Sequence, residues 1–113
     1  MPESDLDFIT LPEVADRLGV AITSVHQLLK DGQLVATKSP DGKRILPAIF
    51  VSGGTVVKGL SSVITLLRDA HFSDAEIIDW LLRVDESLPG SPAEALAANR
   101  GTEVKRRAQA AGF

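Results

Sequence analysis

Residues Thr10–Arg44 read TLPEVADRLGVAITSVHQLLKDGQLVATKSPDGKR and hold the clearest structural signal in the chain. The pattern predicts a helix, a tight turn, a second helix, and then a β-hairpin with basic residues around its tip. A short second helix on a short turn has the dimensions to enter the major groove of DNA, and a basic hairpin beside it can touch phosphate. The rest of the chain points to a chemistry less clearly than this stretch does.

The first predicted helix begins after Thr10 and ends at Gly19. Thr10 and Glu13 have the spacing of a capping box, and Pro12 falls in the first turn, where its missing N–H costs little. Gly19 supplies the left-handed residue that ends a helix. The side chains expected to face the core are those of Val14, Ala15 and Leu18.

The second predicted helix covers 22–30 and is the candidate recognition helix. Val20, in the turn before it, is expected to be buried. Val25, Leu28 and Leu29 form one apolar face at helical spacing. Ala21 stands where a capping serine or threonine is commoner, and Asp31-Gly32 closes the helix.

The other face of this helix carries the candidate base-reading side chains. Gln27 can pair bidentately with adenine, and His26 can donate to a base or a phosphate. The alternative is that this face is simply the solvated side of an amphipathic helix. The candidate DNA-binding residues on the helix are Thr23, Ser24, His26, Gln27 and Lys30.

The predicted hairpin pairs a strand over 34–38 with a return strand over 43–46 around a turn at 39–42. Lys38, Lys43 and Arg44 flank that turn, where cations of a wing contact phosphates or the minor groove. Alternatively, the lysines only protect an exposed strand edge. The β-prone residues 47–57 predict either an irregular connection or a third short strand.

The C-terminal half predicts four helices, over 60–70, 73–82, 91–98 and 102–110, two of them opened by capping boxes at Ser73 and Ser91. Trp80 is expected to anchor the core; a ligand or partner contact is the alternative. The predicted fold is mainly α with a small β-hairpin wing, a winged helix-turn-helix followed by a C-terminal helical bundle. The expected divisions are a flexible acidic tail (1–9), the winged helix-turn-helix (10–58) and a helical region on the same core (59–113).

Charge is distributed unevenly along the 113 residues, whose formal net charge is −3. Residues 17–58 hold six basic and two acidic side chains, a balance of +4, whereas 69–94 hold one basic and seven acidic side chains, a balance of −6. This asymmetry favours a phosphate-facing region and a second region that faces elsewhere. The competing function is a protein-interaction module whose acidic 69–94 surface binds a basic partner. The third interpretation of this charge distribution is that both regions are simply solvated surface.

Several function classes lack residues to support them. The chain has no cysteine, which excludes a disulfide framework, a zinc finger and a thiol nucleophile. No nucleophile–base set, P-loop or convincing metal-ligand spacing appears, so no enzyme, metal or cofactor is expected. No apolar run approaches the roughly 20 residues that span a bilayer, and the acidic N-terminus does not resemble a secretory signal.

The segment LPEVADRLGV…SVHQLLKDGQL resembles the winged helix-turn-helix of excisionase and MerR-type DNA-binding domains. The tail DWLLRVDESLPGSPAEALAANRGTEVKRRAQA is similar to the C-terminal half-domain of Xre/MbcA/ParS-type antitoxins, which implies a dimerisation or protein-binding surface. Over its whole length the chain resembles an actinobacterial family of small winged-helix DNA-binding proteins linked to a transmembrane serine/threonine kinase. The resemblance implies a bacterial cytoplasmic protein with double-stranded DNA as ligand and a Ser/Thr protein kinase as partner.

The resemblance does not identify a residue that the kinase modifies. Thr10 is a physical candidate because it lies at the start of the first helix, where this motif approaches the DNA backbone. A phosphate there adds roughly −1.5 to −2 charges facing polyanionic DNA. Phosphorylation of Thr10 is therefore predicted to weaken DNA binding, the alternative being that Thr10 is only a helix cap. The sequence leaves open a homodimer or a monomer, since no heptad seam is visible.

Overall fold

A computed structural model describes residues 8–84 and 90–111. Within these ranges the chain is mostly helical with one small antiparallel sheet, which confirms the predicted fold class. The elements are, in chain order, β1 (Phe8–Thr10), α1 (Leu11–Leu18), α2 (Ile22–Lys30), β2 (Thr37–Lys38), β3 (Arg44–Pro47), a 3₁₀ segment (Ala48–Gly54), α3 (Leu60–Asp69), α4 (Asp74–Leu82), α5 (Pro92–Ala97) and α6 (Gly101–Ala111).

The turn between α1 and α2 forms as the sequence predicts, with one correction. Gly19 adopts a left-handed conformation at φ +68°, its N–H donates to the Asp16 carbonyl (3.2 Å), and the Val20 N–H donates to the Ala15 carbonyl (3.0 Å). These two bonds are the paired bonds of a Schellman motif. The expectation that Val20 is buried is wrong: its side chain is 41% exposed, because this reversal directs it outward.

The sheet has the strand order β1-β3-β2, and all its pairings are antiparallel. Phe8 and Ile9, assigned to the acidic tail from the sequence, instead form β1, because Ile9 is buried opposite Leu46. Residues 1–7 of the predicted tail lie outside the described part of the chain. The hairpin strand predicted over 34–38 is shortened to β2, since residues 34–36 are buried in the core without pairing as a strand.

The β-prone segment after β3 is an irregular connection and not a third hairpin strand. It forms a 3₁₀ segment broken at Val51–Gly53, and Gly53 has a left-handed φ of +79°. Ile49 and Phe50 are almost fully buried there, and the Val57 N–H donates to the Phe50 carbonyl at 2.9 Å. The segment contacts both α1 and α5, so it joins the N-terminal and C-terminal halves.

The C-terminal helices pack onto one continuous core with the N-terminal half. The Ser73 hydroxyl accepts from the Glu76 N–H, and the Ser91 hydroxyl accepts from the Glu94 N–H, each at 3.2 Å, so α4 and α5 begin at their predicted capping boxes. The helix predicted from residue 102 begins one residue earlier, at Gly101. Trp80 packs against the core but is only partly buried, so it is a peripheral anchor.

Candidate nucleic-acid interface

Helix α2 is fixed to the core by one face and presents the other to solvent. Val25 is completely buried and Leu29 is nearly so, which sets the rotation of the helix about its axis. Residues one turn apart therefore share an exposed stripe. The five residues predicted to bind DNA from this helix are all exposed: Thr23, Ser24, His26, Gln27 and Lys30.

The exposed surface of α2 includes two adjacent stripes with different neighbours. Ile22 and His26, at i and i+4, face the start of α1 and the wing. Thr23 and Gln27 lie on the next stripe, where the Gln27 side-chain N–H donates to the Asp31 carboxylate at 2.9 Å. This bond uses one of the two N–H donors of the Gln27 amide, so the second N–H and the carbonyl oxygen remain for a base.

An open cleft of about 460 Å³ lies between the start of α1, helix α2 and the wing. It brings together the predicted residues His26, Lys43 and Arg44 with Thr10, although these are distant in sequence. The cleft lining also includes apolar side chains that the sequence analysis did not select. The complete lining is Thr10, Leu11, Pro12, Ile22, His26, Lys43 and Arg44.

The wing places like charges opposite one another. Lys38 and Arg44 are directly paired in the register of β2 and β3, and both are exposed. Directly opposite like charges destabilise a strand pair, because their Cβ atoms are only about 4.5–5.5 Å apart. An anion between or beside the two cations relieves that repulsion, so the strand register favours an anionic partner.

The loop that joins the wing strands is closed by its own hydrogen bonds. The Ser39 N–H donates to the Lys43 carbonyl (2.8 Å), and the Gly42 N–H donates to the Ser39 carbonyl (2.9 Å). The Ser39 hydroxyl donates to the Asp41 carboxylate and so lowers the pKa of Asp41 below its ordinary value. Asp41 therefore stays ionised at neutral pH and partly offsets the wing cations at the tip.

Thr10 has a double role at the junction of β1 and α1. Its backbone pairs with Ile45 in the sheet, and it is the N-cap residue of α1. Its N–H donates to Glu13 Oε1 at 3.4 Å, and its hydroxyl donates to the same oxygen at 3.3 Å. The predicted reach of Glu13 back to Thr10 is thus present, and it places a carboxylate beside the Thr10 hydroxyl.

The acidic surface of the competing hypothesis is partly neutralised within the described residues. Arg68 pairs with Asp74 at 3.1 Å, and Arg83 pairs with Asp79. Glu76 and Glu94 accept backbone N–H groups in their capping boxes. Two more of the predicted acids, Asp85 and Glu86, lie outside the described residues. Arg83 is already counted in the balance of −6, so Arg68, which lies outside 69–94, is the additional cation that these contacts bring to the acidic surface.

Comparison with known proteins finds a family match for each half of the chain. Residues 2–51 match the family described as "DNA-binding protein Rv2175c, wHTH domain", and residues 57–112 match its "C-terminal domain of unknown function". The chain is 40% identical to the "DNA-binding protein Rv2175c" of Mycobacterium tuberculosis strain H37Rv, over 91% of this chain and 79% of that protein. The chain belongs to the Rv2175c family.

A solved structure of the same family has the same fold. The NMR structure of Rv2175c superposes with a TM-score of 0.85 at 36% identity, over 100% of this chain and 86% of that chain. The boundary between the two Rv2175c family matches falls at residues 52–56, where the 3₁₀ segment ends before α3 begins. Among the residues described, no helix has the length and apolar character needed to span a membrane.

Proposed function

We propose that this chain binds double-stranded DNA as a transcriptional regulator in the bacterial cytoplasm, with α2 in the major groove and the wing on the backbone. The proposal rests above all on the cleft in which His26, Lys43 and Arg44 converge beside the first turn of α2. In helix-turn-helix proteins this end of the second helix meets base edges. Membership of the Rv2175c family supports the same function.

The proposed contacts divide into two groups. The first two turns of α2 approach base edges or nearby phosphates through Thr23, Ser24, His26 and Gln27. Lys30 lies farther along the helix, toward the DNA backbone. The wing cations neutralise phosphates and fix the protein's orientation without reading sequence. Lys38 belongs to this second group because its strand pairing places it opposite Arg44.

The salt dependence of DNA affinity tests this proposal. Fluorescence anisotropy with a mixed-sequence duplex should detect binding at low salt that weakens steadily as salt is raised, because bound phosphates release counterions. Absence of binding at low salt would contradict the proposal and favour the competing function, in which the acidic 69–94 surface binds a basic protein partner. Sedimentation of the protein–DNA complex in the same buffers distinguishes a bound monomer from a bound homodimer.

We further propose that a Ser/Thr protein kinase controls DNA binding through Thr10. Phosphothreonine there adds roughly −1.5 to −2 charges to the cleft that holds Lys43 and Arg44. The phosphate would pair with these cations and repel DNA phosphates, and it would also repel the Glu13 carboxylate that now accepts from Thr10. Each effect lowers DNA affinity.

The Thr10 proposal is tested with Thr10→Glu and the neutral control Thr10→Val. Thr10→Glu should bind DNA more weakly than the parent across the salt series, whereas Thr10→Val should lose little affinity, because it removes only the hydroxyl that donates to Glu13 and adds no charge. Equal binding by Thr10→Glu and the parent would contradict regulation through this residue. Equal losses in both variants would show that only the cap matters.

A further inference from the structure

The start of α2 exposes large apolar side chains at a position surrounded by polar and basic groups. Ile22 is 38% exposed and Val20 is 41% exposed, on either side of Ala21. Single exposed apolar residues are common on protein surfaces and need no special explanation. Here, however, the side chain of Ile22 lies in the same cleft as His26, Lys43 and Arg44.

The neighbours of Ile22 limit what can cover it. Leu11 and Pro12 supply apolar surface to the lining of the cleft, and Lys43 and Arg44 supply its cations. The first turn of α2 contains no acidic residue. This lining favours an occupant that is anionic and also offers a small apolar group, a combination that the major groove of duplex DNA provides.

The first positions of α2 cannot read a base by side-chain hydrogen bonds. Ala21, the N-cap residue, and Ile22, the first helical residue, carry neither donors nor acceptors on their side chains. The apolar feature on base edges in the major groove is the C5-methyl group of thymine, and apolar side chains contact it. Polar readout begins only at Thr23, the next residue along.

We propose that Ile22 is a specificity-determining residue that packs on a thymine C5-methyl group and selects a T·A pair at that position. This inference rests on the proposed DNA binding and adds the kind of base feature that the start of α2 recognises. Burial of one methyl-sized group is worth about a fourfold change in affinity. The expected preference is therefore modest at one base pair and sensitive to the methyl group alone.

The test compares thymine with deoxyuridine, which lacks only the methyl group. A preferred duplex is first selected from a randomised library with the parent protein, and each thymine in it is then replaced singly by deoxyuridine. At one position or more, the parent should lose about fourfold in affinity, whereas Ile22→Ala should bind the two duplexes equally. Ile22→Val, which keeps a branched apolar side chain, should retain most of the difference.

The control variant is Val84→Ala, which shortens another exposed apolar residue, 72% exposed and beyond the end of α4. It should show the parent's full thymine preference. Any change in duplex shape caused by deoxyuridine affects every variant alike and cancels in the double-mutant comparison. Because Ile22 is partly exposed at the first helical position, Ile22→Ala should keep the parent's circular dichroism spectrum.

The outcomes separate this inference from the proposed function. DNA binding without a methyl effect at any thymine, or with an equal effect in Ile22→Ala, would overturn the role of Ile22 and leave DNA binding intact. Failure of the parent to enrich or bind any duplex at low salt would overturn the proposed function and this inference together.

Discussion

Removal of the two cleft-lining wing cations, in Lys43→Ala/Arg44→Ala, should make DNA binding less sensitive to salt. Both side chains are exposed and line the cleft beside α2. Each phosphate contact contributes about 0.9 to the slope of log K against log salt concentration, so losing two should reduce that slope by about 1.8. Between about 50 and 200 mM salt, the parent's affinity should then fall about 12-fold more than the variant's.

The measurement is fluorescence anisotropy with a labelled mixed-sequence duplex over a salt series, for both proteins. The variant should also bind more weakly than the parent at low salt, where counterion release is most favourable. Thermal unfolding of each protein should show that the fold is kept, because surface substitutions of this kind usually alter stability by only about 0.5 kcal/mol.

A matched control variant separates the effect of losing the wing cations from the effect of lowering the protein's net charge. Lys58→Ala/Lys105→Ala removes the same charge from a different cleft, which lies between the start of α3 and helix α6. This variant should keep the parent's slope. An unchanged slope in the wing variant, or an equal change in the control, would refute the reasoning that assigns phosphate contacts to Lys43 and Arg44.

Two further predictions concern stability. His71 is a non-glycine residue in a left-handed conformation, at φ +70°, so His71→Gly should stabilise the fold by about 1 kcal/mol in urea unfolding. Gly19 has a similar conformation, at φ +68°, with open space where a Cβ would lie. Gly19→Ala should therefore destabilise the fold by about 1 kcal/mol because of the backbone conformation and not because of a clash. Hydrogen bonds from Ser73 lower the pKa of Glu76. Their stabilisation should be present above the ordinary glutamate range near pH 4.3 and lost as the pH falls through the lower folded-state pKa. In acid denaturation profiles the parent should therefore be more stable than Glu76→Gln above about pH 5, and the difference should shrink as the pH falls below that.

The helices could be predicted because their signals are local. The Ser73–Glu76 and Ser91–Glu94 pairs act within a single turn, and a left-handed glycine ends α1 within the same few residues. Such contacts form in whatever fold contains them. The exposed face of α2 could also be predicted, because a period of 3.6 residues determines which side chains lie opposite the buried Val25.

The predictions that were wrong or left two alternatives open were those that depended on distant partners. Phe8 and Ile9 follow an acidic segment, and only pairing with β3 makes them a strand. Residues 47–57 have strong β propensity, yet burial of Ile49 and Phe50 against other elements favours a 3₁₀ segment over an edge strand. Tertiary packing overrides intrinsic β preference in this way because that preference is mostly a measure of side-chain packing.

The sequence by itself determined the order and bounds of most helices, the wing's cations and the exposed residues of α2. Only the tertiary structure decided that Thr10, Ile22 and Arg44 share one cleft. The pairing of β1 with β3 brings the start of α1 beside the wing, and the core under α2 turns Ile22 toward both. These contacts join residues far apart in the chain, and no local periodicity or capping rule can specify a distance between them.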